Sequence, residues 1–315
     1  MAQVHKIIYG MDTAFYEEHV QNTDVMLGLF TSGGTMANVT ALWVARNNQL
    51  GPTKAEDGGE AKEGSEEVTF KGVESEGLPR ALRHYGYDDA IVIGSALVHY
   101  SLNKAVDLLG LGTRGIVKIP VDDDYRVDLD LLEAKIVWAR ANKVMILAIV
   151  GICGATETGA IDPLEEMAEL AKKYDIHFHV DAAWGGPCIF SESQVEKAKG
   201  IELADTVTLD GHKQLYMPMG SGLLFMRDPY LSHAVRKTAN YIIRKESYDL
   251  GKFTVEGSRP ANALFLHANL NILGVQGFRC LVDRTVRIAQ CVLKKRSKRP
   301  KRRQRENAKG TDVAA

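Results

Sequence analysis

The chain has 315 residues, 45% hydrophobic and 25% charged, with a net charge of −1, which is the make-up of an ordinary globular protein holding one large domain or one domain plus part of another. No apolar run reaches the ~18 residues of a membrane span, and the opening MAQVHKIIYG has no signal-peptide core. The four cysteines, Cys153, Cys188, Cys280 and Cys291, form no Cys-x-x-Cys pair, which argues against a zinc site or a disulfide framework and leaves reduced thiols in a cytoplasm as the simplest reading.

Taken in chain order, an apolar strand, DVMLGLF (24–30), leads into TSGGT (31–35) and a helical stretch, MANVTALWVARNNQL. GPTKAEDGGEAKEGSEE (51–67) is rich in Gly and Glu and can bury almost nothing, so a flexible insertion is placed here, reaching to about residue 79. AIVIG (90–94) is the next strand, followed by a helix from near Ser101, a strand GIVKIP (115–120) and a helix with an acidic start at Asp130. KVMILAIVGI (143–152) is a nearly continuous apolar run, as a buried parallel strand requires. IDPLEEMAELAKKY predicts a helix with Asp162 as N-cap, Pro163 in the first turn, and Leu164, Met167, Leu170, Ala171 and Tyr174 on one face. HFHV (177–180), DTVTL (205–209) and GLLFM (222–226) complete the strands. LVDRTVRIAQCVL (281–293) still reads as helix. Residues 294–305 (KKRSKRPKRRQR) then carry nine Lys or Arg and no acid, leaving 30 basic against 40 acidic residues elsewhere. An acidic body does not point to nucleic acid, and a solvated, disordered run is the simpler reading of the tail.

Alternating strands and helices define an α/β layer with a mostly parallel sheet, in which ligands sit at the carboxyl ends of strands. TSGGT, Thr156, Asp181 and Lys213 each follow a predicted strand and can converge on one cleft. Lys213, in TLDGHKQLY, is suited to forming an imine with an aldehyde cofactor, although an isolated surface lysine looks the same. Asp181, in HFHVDAAWGG, is suited to the ring nitrogen of pyridoxal phosphate, with Ala182 and Ala183 leaving room for a flat ring; a helix cap or metal ligand is the alternative. TSGGT joins a strand to a helix, so its amides, Ser32, Thr35 and the close approach allowed by Gly33 and Gly34 make an anion site. It lacks the lysine of a nucleotide P-loop. His99, in VHYSLNKA, can stack on a pyridine ring or sit as a backbone-bonded buried histidine. Thr156, in GATETGAIDP, can bond the ring oxygen or serve only in a turn.

TSGGT, HYS, GATETGAIDP, HVDAAWGG and the His212–Lys213 pair, in this order and spacing, resemble the group II pyridoxal-phosphate decarboxylases, the glutamate, aromatic amino acid and cysteine sulfinate decarboxylase family. The resemblance covers residues 1 to about 280. Within it, HKIIYGMD, ALRHYGYDDA, GIELAD, HKQLYMPMG and DLGKFTVEGSRP look most like the bacterial aspartate-decarboxylating branch. The resemblance implies a fold-type-I large domain over 1–280, built on a mostly parallel seven-stranded sheet flanked by helices. It also implies a small C-terminal domain that is largely missing here, residues 281–315 being a helical remnant and basic tail. It makes pyridoxal 5'-phosphate the cofactor, Lys213 the Schiff-base lysine and Asp181 the pyridinium partner. His99 and Ala183 then flank the ring, with Thr156 near it and Ser32, Gly33, Gly34 and His212 near the phosphate. Asp210 stands where relatives often have a phosphate-contacting Asn. Tyr248, in the loop RKESYDLGK, matches a tyrosine that protonates the product in some relatives. Arg259 is a candidate partner for a substrate carboxylate, or a structural ion pair. The implied reaction is α-decarboxylation of an acidic amino acid, L-aspartate to β-alanine or L-glutamate to 4-aminobutanoate, by a homodimer. An inactive truncated fragment and another fold-type-I enzyme such as an aminotransferase are the competing readings.

Overall fold

A computed structural model describes residues 1–54, 68–239 and 246–297. In chain order, helices α1 (Ala2–Tyr9) and α2 (Thr13–His19) precede strand β1 (Gly28–Thr31) and helix α3 (Gly34–Gln49). A small hairpin, β2 (Thr53–Lys54) and β3 (Val68–Phe70), comes next, then α4 (Val73–Glu76) and α5 (Leu78–Tyr85). The remaining strands are β4 (Asp89–Ser95), β5 (Ile116–Ile119), β6 (Val144–Ile152), β7 (Phe178–Asp181), β8 (Thr206–Asp210) and β9 (Gly222–Met226). Helices α6 (Ser101–Leu108), α7 (Leu129–Ala141) and α8 (Leu164–Lys173) connect them, and α9 (Ala263–Ser297) closes the described chain.

The seven-stranded sheet has the order β1-β9-β8-β7-β6-β4-β5. All neighbours between β5 and β8 are parallel, and β9 alone runs against its two neighbours. Each of the seven expected strands is present. The first begins at Gly28 rather than residue 24, because its register against β9 starts with Gly28 opposite Phe225.

Side chains alternate across the sheet. Ile91, Ile93, Ile149 and Phe178 pack under α1, α7 and α8 with Val4, Ile8, Ile136 and Met167. Val92, Leu147 and Val150 pack on the other side with Leu42 of α3 and Leu102 and Val106 of α6. Leu29, Leu224 and Met226 meet Ala41 and Val44 further along α3. Helices thus cover both faces, which is why all nine residues of β6 are buried.

Two local expectations change. The segment 51–79 is not an insertion without structure throughout. Thr53–Lys54 pairs with Val68–Phe70, Phe70 is buried and stacks on His84 at 4.3 Å, and Val73 is buried at the start of α4. The Gly/Glu-rich composition hid these apolar anchors; residues 55–67 lie outside the described residues. Asp162 is not the cap of α8, whose N-cap position is Pro163. Its buried carboxylate instead accepts the backbone N–H of Val127 (2.8 Å) and of Ile152 (2.9 Å), tying β6 to the loop before α7. The helix expected after residue 280 is present: α9 runs from Ala263 to Ser297, with one non-helical residue at Gly274, and Phe278 and Val282, on either side of residue 280, are buried. The basic tail from residue 298 lies outside the described residues.

Candidate active site

The parallel strands deliver their chemistry to one end. β1 ends in the TSGGT loop, β4 leads to His99, β6 to Thr156, β7 ends on Asp181, and β8 leads to His212 and Lys213. A cavity of about 350 Å³ is lined by Ser32, Gly33, Gly34, His99, Thr156, Asp181, Ala183, His212 and Lys213 together. These nine residues singled out in the sequence therefore meet, with Thr35 and Asp210 beside them. Tyr248 does not: it is 72% exposed and lines a separate groove beside Val20 and Leu250. The loop match placed it by sequence position, and position along a chain does not fix the direction of an exposed loop side chain. Arg259 also serves elsewhere, donating to the carbonyl of Phe30 at the end of β1.

Asp181 lies at the bottom of the cavity and is buried. Its Oδ1 accepts the N–H of Ala183 (3.1 Å) and its Oδ2 accepts Nδ2 of Asn38 (2.8 Å). Burial pushes its carboxyl up from the usual range, while the Asn38 and Ala183 donors and the neighbouring Lys213 and His99 pull it back. Burial likewise lowers His99, with Asp181 opposing and Lys213 reinforcing the shift. Nδ1 of His99 faces the hydroxyl (2.9 Å) and N–H (3.2 Å) of Ser101, so Nδ1 is the acceptor and the neutral ring carries its proton on Nε2.

Lys213 is paired with Asp210, Nζ to Oδ2 3.0 Å. His212 Nε2 lies 3.6 Å from the same oxygen. Asp210 is buried, and its Oδ1 has no hydrogen-bond partner.

The TSGGT loop is held from two sides. A Cβ on Gly34 would come within 2.9 Å of Asp210 Oδ2 and 3.2 Å of the Ala183 methyl. Gly222 of β9 sits opposite Thr31, and a Cβ there would lie 2.4 Å from the carbonyl carbon of Gly33. The loop feeds directly into α3, so its amides and the positive end of that 16-residue helix face the cavity. One donor is already engaged, since Ser32 N–H bonds Oε2 of Glu256 at 3.0 Å.

The residues fit a pyridoxal group. A buried carboxylate with two fixed donors, an amine three residues beyond the neighbouring strand and an amide loop with no room for a side chain at Gly34 could partner the ring nitrogen, aldehyde and phosphate respectively.

Three contributors escaped the sequence reading, Asn38, Ser101 and His179, and Asp210 stands in it without a role. Two carried a signal. His177, His179 and Asp181 alternate, so they share the sheet face that looks toward α3. Asn38 is a buried amide in a helix whose inward residues are mostly small or apolar, Thr40 and Asn47 being the other buried polar ones.

An α/β sheet of this order, with lysine, aspartate and glycine loop meeting at its carboxyl end, defines a cofactor-binding domain of the pyridoxal enzyme class. The family description "Pyridoxal-dependent decarboxylase conserved domain" matches residues 74–305, and the chain belongs to that family. The match passes residue 280, where the resemblance was expected to end. The chain is 43% identical over 286 residues to aspartate 1-decarboxylase of Aliivibrio fischeri, spanning 91% of this chain and 50% of that protein. It is 30% identical over 271 residues to aromatic-L-amino-acid decarboxylase of Bacillus atrophaeus, spanning 84% of this chain and 50% of that protein. Among solved structures, mouse CSAD superposes with a TM-score of 0.72 over 95% of this chain and 57% of that one, at 24% identity, which supports the fold. The chain spans about half the length of the curated relatives it matches.

Proposed function

We propose that this chain is the cofactor-binding part of a pyridoxal 5'-phosphate-dependent α-decarboxylase acting on an acidic amino acid, with L-aspartate as first candidate and L-glutamate as second. The observation that carries the reading is the meeting of Lys213 and Asp181 in one cavity, from the adjacent strands β8 and β7. The similarity to an aspartate 1-decarboxylase supports the substrate class.

Pyridoxal 5'-phosphate supplies an electron sink for the pair left behind when a carboxyl group departs as CO₂. Asp181 holds a proton on the ring nitrogen and so keeps the sink strong. Lys213 offers the amine that would bond the aldehyde, and Asp210 holds that amine in place beforehand. Gly33 and Gly34, with the start of α3 and His212, receive the phosphate. His99 and Ala183 offer a flat and a small surface to the ring, and Thr156 borders it at the mouth. Homodimerisation and a cytoplasmic setting belong to the same reading by resemblance.

Reconstitution tests it. Added pyridoxal 5'-phosphate gives the wild-type protein a visible absorbance band, and Lys213→Ala abolishes the band. Labelled CO₂ released from carboxyl-labelled aspartate or glutamate supports decarboxylation, whereas keto acid formation points to transamination. A folded wild-type protein with no band is an inactive fragment.

A further inference from the structure

A continuous line of buried hydrogen bonds runs behind the cavity. His177 Nε2 bonds Thr206 Oγ1 at 2.9 Å, and Thr206 Oγ1 bonds His179 Nδ1 at 2.9 Å. His179 Nε2 meets Asn38 Oδ1 at 3.1 Å. Asn38 Nδ2 then serves two acceptors, Asp181 Oδ2 at 2.8 Å and Ser101 Oγ at 2.9 Å, and Ser101 Oγ reaches His99 Nδ1 at 2.9 Å. Asn38, Ser101, His179 and Thr206 are each at most 1% exposed, so no water competes with these bonds.

The line has a direction. An ionised Asp181 accepts only, so Asn38 must turn its amide nitrogen toward it. That orientation leaves Oδ1 facing His179, whose Nε2 must then carry the proton and whose Nδ1 must accept from Thr206. The second Asn38 hydrogen points at Ser101, whose own hydrogen goes to His99. Both hydrogens and the oxygen of Asn38 are used, and each neighbour is set in one state.

We propose that Asn38 is the positioning residue of this site, holding Asp181 toward the ring nitrogen and His179 in one tautomer, while the Ser101 hydroxyl it orients adds to the Ser101 N–H that already keeps Nδ1 of His99 an acceptor. This rests on the cofactor reading above and adds to it a reason why two residues on different strands act in register. Three facts agree. Asn38 counters the burial of Asp181; burial, with the neighbouring His177, holds His179 down at about 3 and therefore neutral; and Asn38 sits one turn into α3, the helix that also presents the anion loop.

Asn38→Ser and Asn38→Leu test it, each against wild type and Lys213→Ala, with folding checked by thermal melt. In the cofactor-free protein, nitrogen-15 spectra of the histidines show His99 and His179 protonated at Nε2; both variants lose that single tautomer at His179, while His99, held by the Ser101 N–H, keeps its own. With nitrogen-labelled cofactor, wild type gives a pyridinium signal; the variants bind about tenfold more weakly, equivalent to about 1.4 kcal/mol, and shift the signal toward neutral pyridine. Folded variants that keep the His179 tautomer, the ring-nitrogen signal and the affinity of wild type overturn the proposal. A wild type that binds no cofactor removes the cofactor reading, and the histidine spectra still decide the role of Asn38. The serine variant serves where leucine does not fold.

Discussion

Lys213 is held by Asp210, with 3.0 Å between Nζ and Oδ2, and not by the carboxylate of Asp181 that lines the same cavity. The two acids therefore divide the work. Asp181 is braced by Asn38 and the Ala183 amide and is left free to meet a ring, while Asp210, one strand over, stores the amine close to the glycine loop.

That storage has a cost for an incoming phosphate. Asp210 Oδ2 stands where a Gly34 side chain would begin, so a carboxylate lies beside the loop meant for an anion. Asp210→Asn keeps an oxygen for Lys213 and removes the charge. We expect pyridoxal 5'-phosphate to bind more tightly, on the order of tenfold, a fraction of one unit-charge repulsion near a protein surface. Titration of the visible band in both proteins reads this directly; weaker binding by the variant would place the phosphate away from Asp210.

Asp181→Asn separates binding from chemistry. The amide keeps the size and hydrogen-bonding shape of the carboxylate and loses its charge, so the cofactor band persists while CO₂ release falls by about a hundredfold or more, as for other removed electrostatic stabilisers. Equal losses of binding and turnover would mean that Asp181 holds the cofactor and does not tune it.

A third expectation concerns stability and pH. His5 is fully buried between Tyr16 and the carbonyl of Met226, and burial lowers it to about 4 from 6.5. Between those values the unfolded chain takes up a proton that the folded one refuses. The stability supplied by neutral His5 is complete above pH 6.5 and is lost as pH falls, by up to about 1.4 kcal/mol per pH unit. Asp162 works in the opposite sense: burial raises it to about 6 from 3.8, so its contribution declines as pH rises through that range. His5→Gln is expected to flatten the acid-side slope by about one proton in urea unfolding across the window. An unchanged slope would show that His5 is charged in the folded protein.

Most of the sheet was readable because buried parallel strands are written as apolar runs, and the cavity residues because each follows such a run. What escaped has a common cause. Asn38 and Ser101 act through partners 63 to 143 residues away, and the pairing of Asp210 with Lys213 is one that only the folded backbone creates. A buried polar residue advertises itself in sequence only when its surroundings are already known to be apolar. Asp162 shows the converse. Its place before a proline and two glutamates reads as a cap, yet tertiary contacts claim both oxygens. Phe70 and Val73 anchor a segment whose average composition promised no anchor, since composition blurs the few residues that pack.

Gly222 touches none of the atoms that would react, and yet it acts as a gauge for the whole catalytic end. Because β9 presses its bare backbone against Gly33, the distance from the sheet edge to the glycine loop is set by the absence of one methyl group. Alanine at 222 would drive the loop inward and shrink the cavity, so tolerance to mutation here follows shape and not proximity to chemistry.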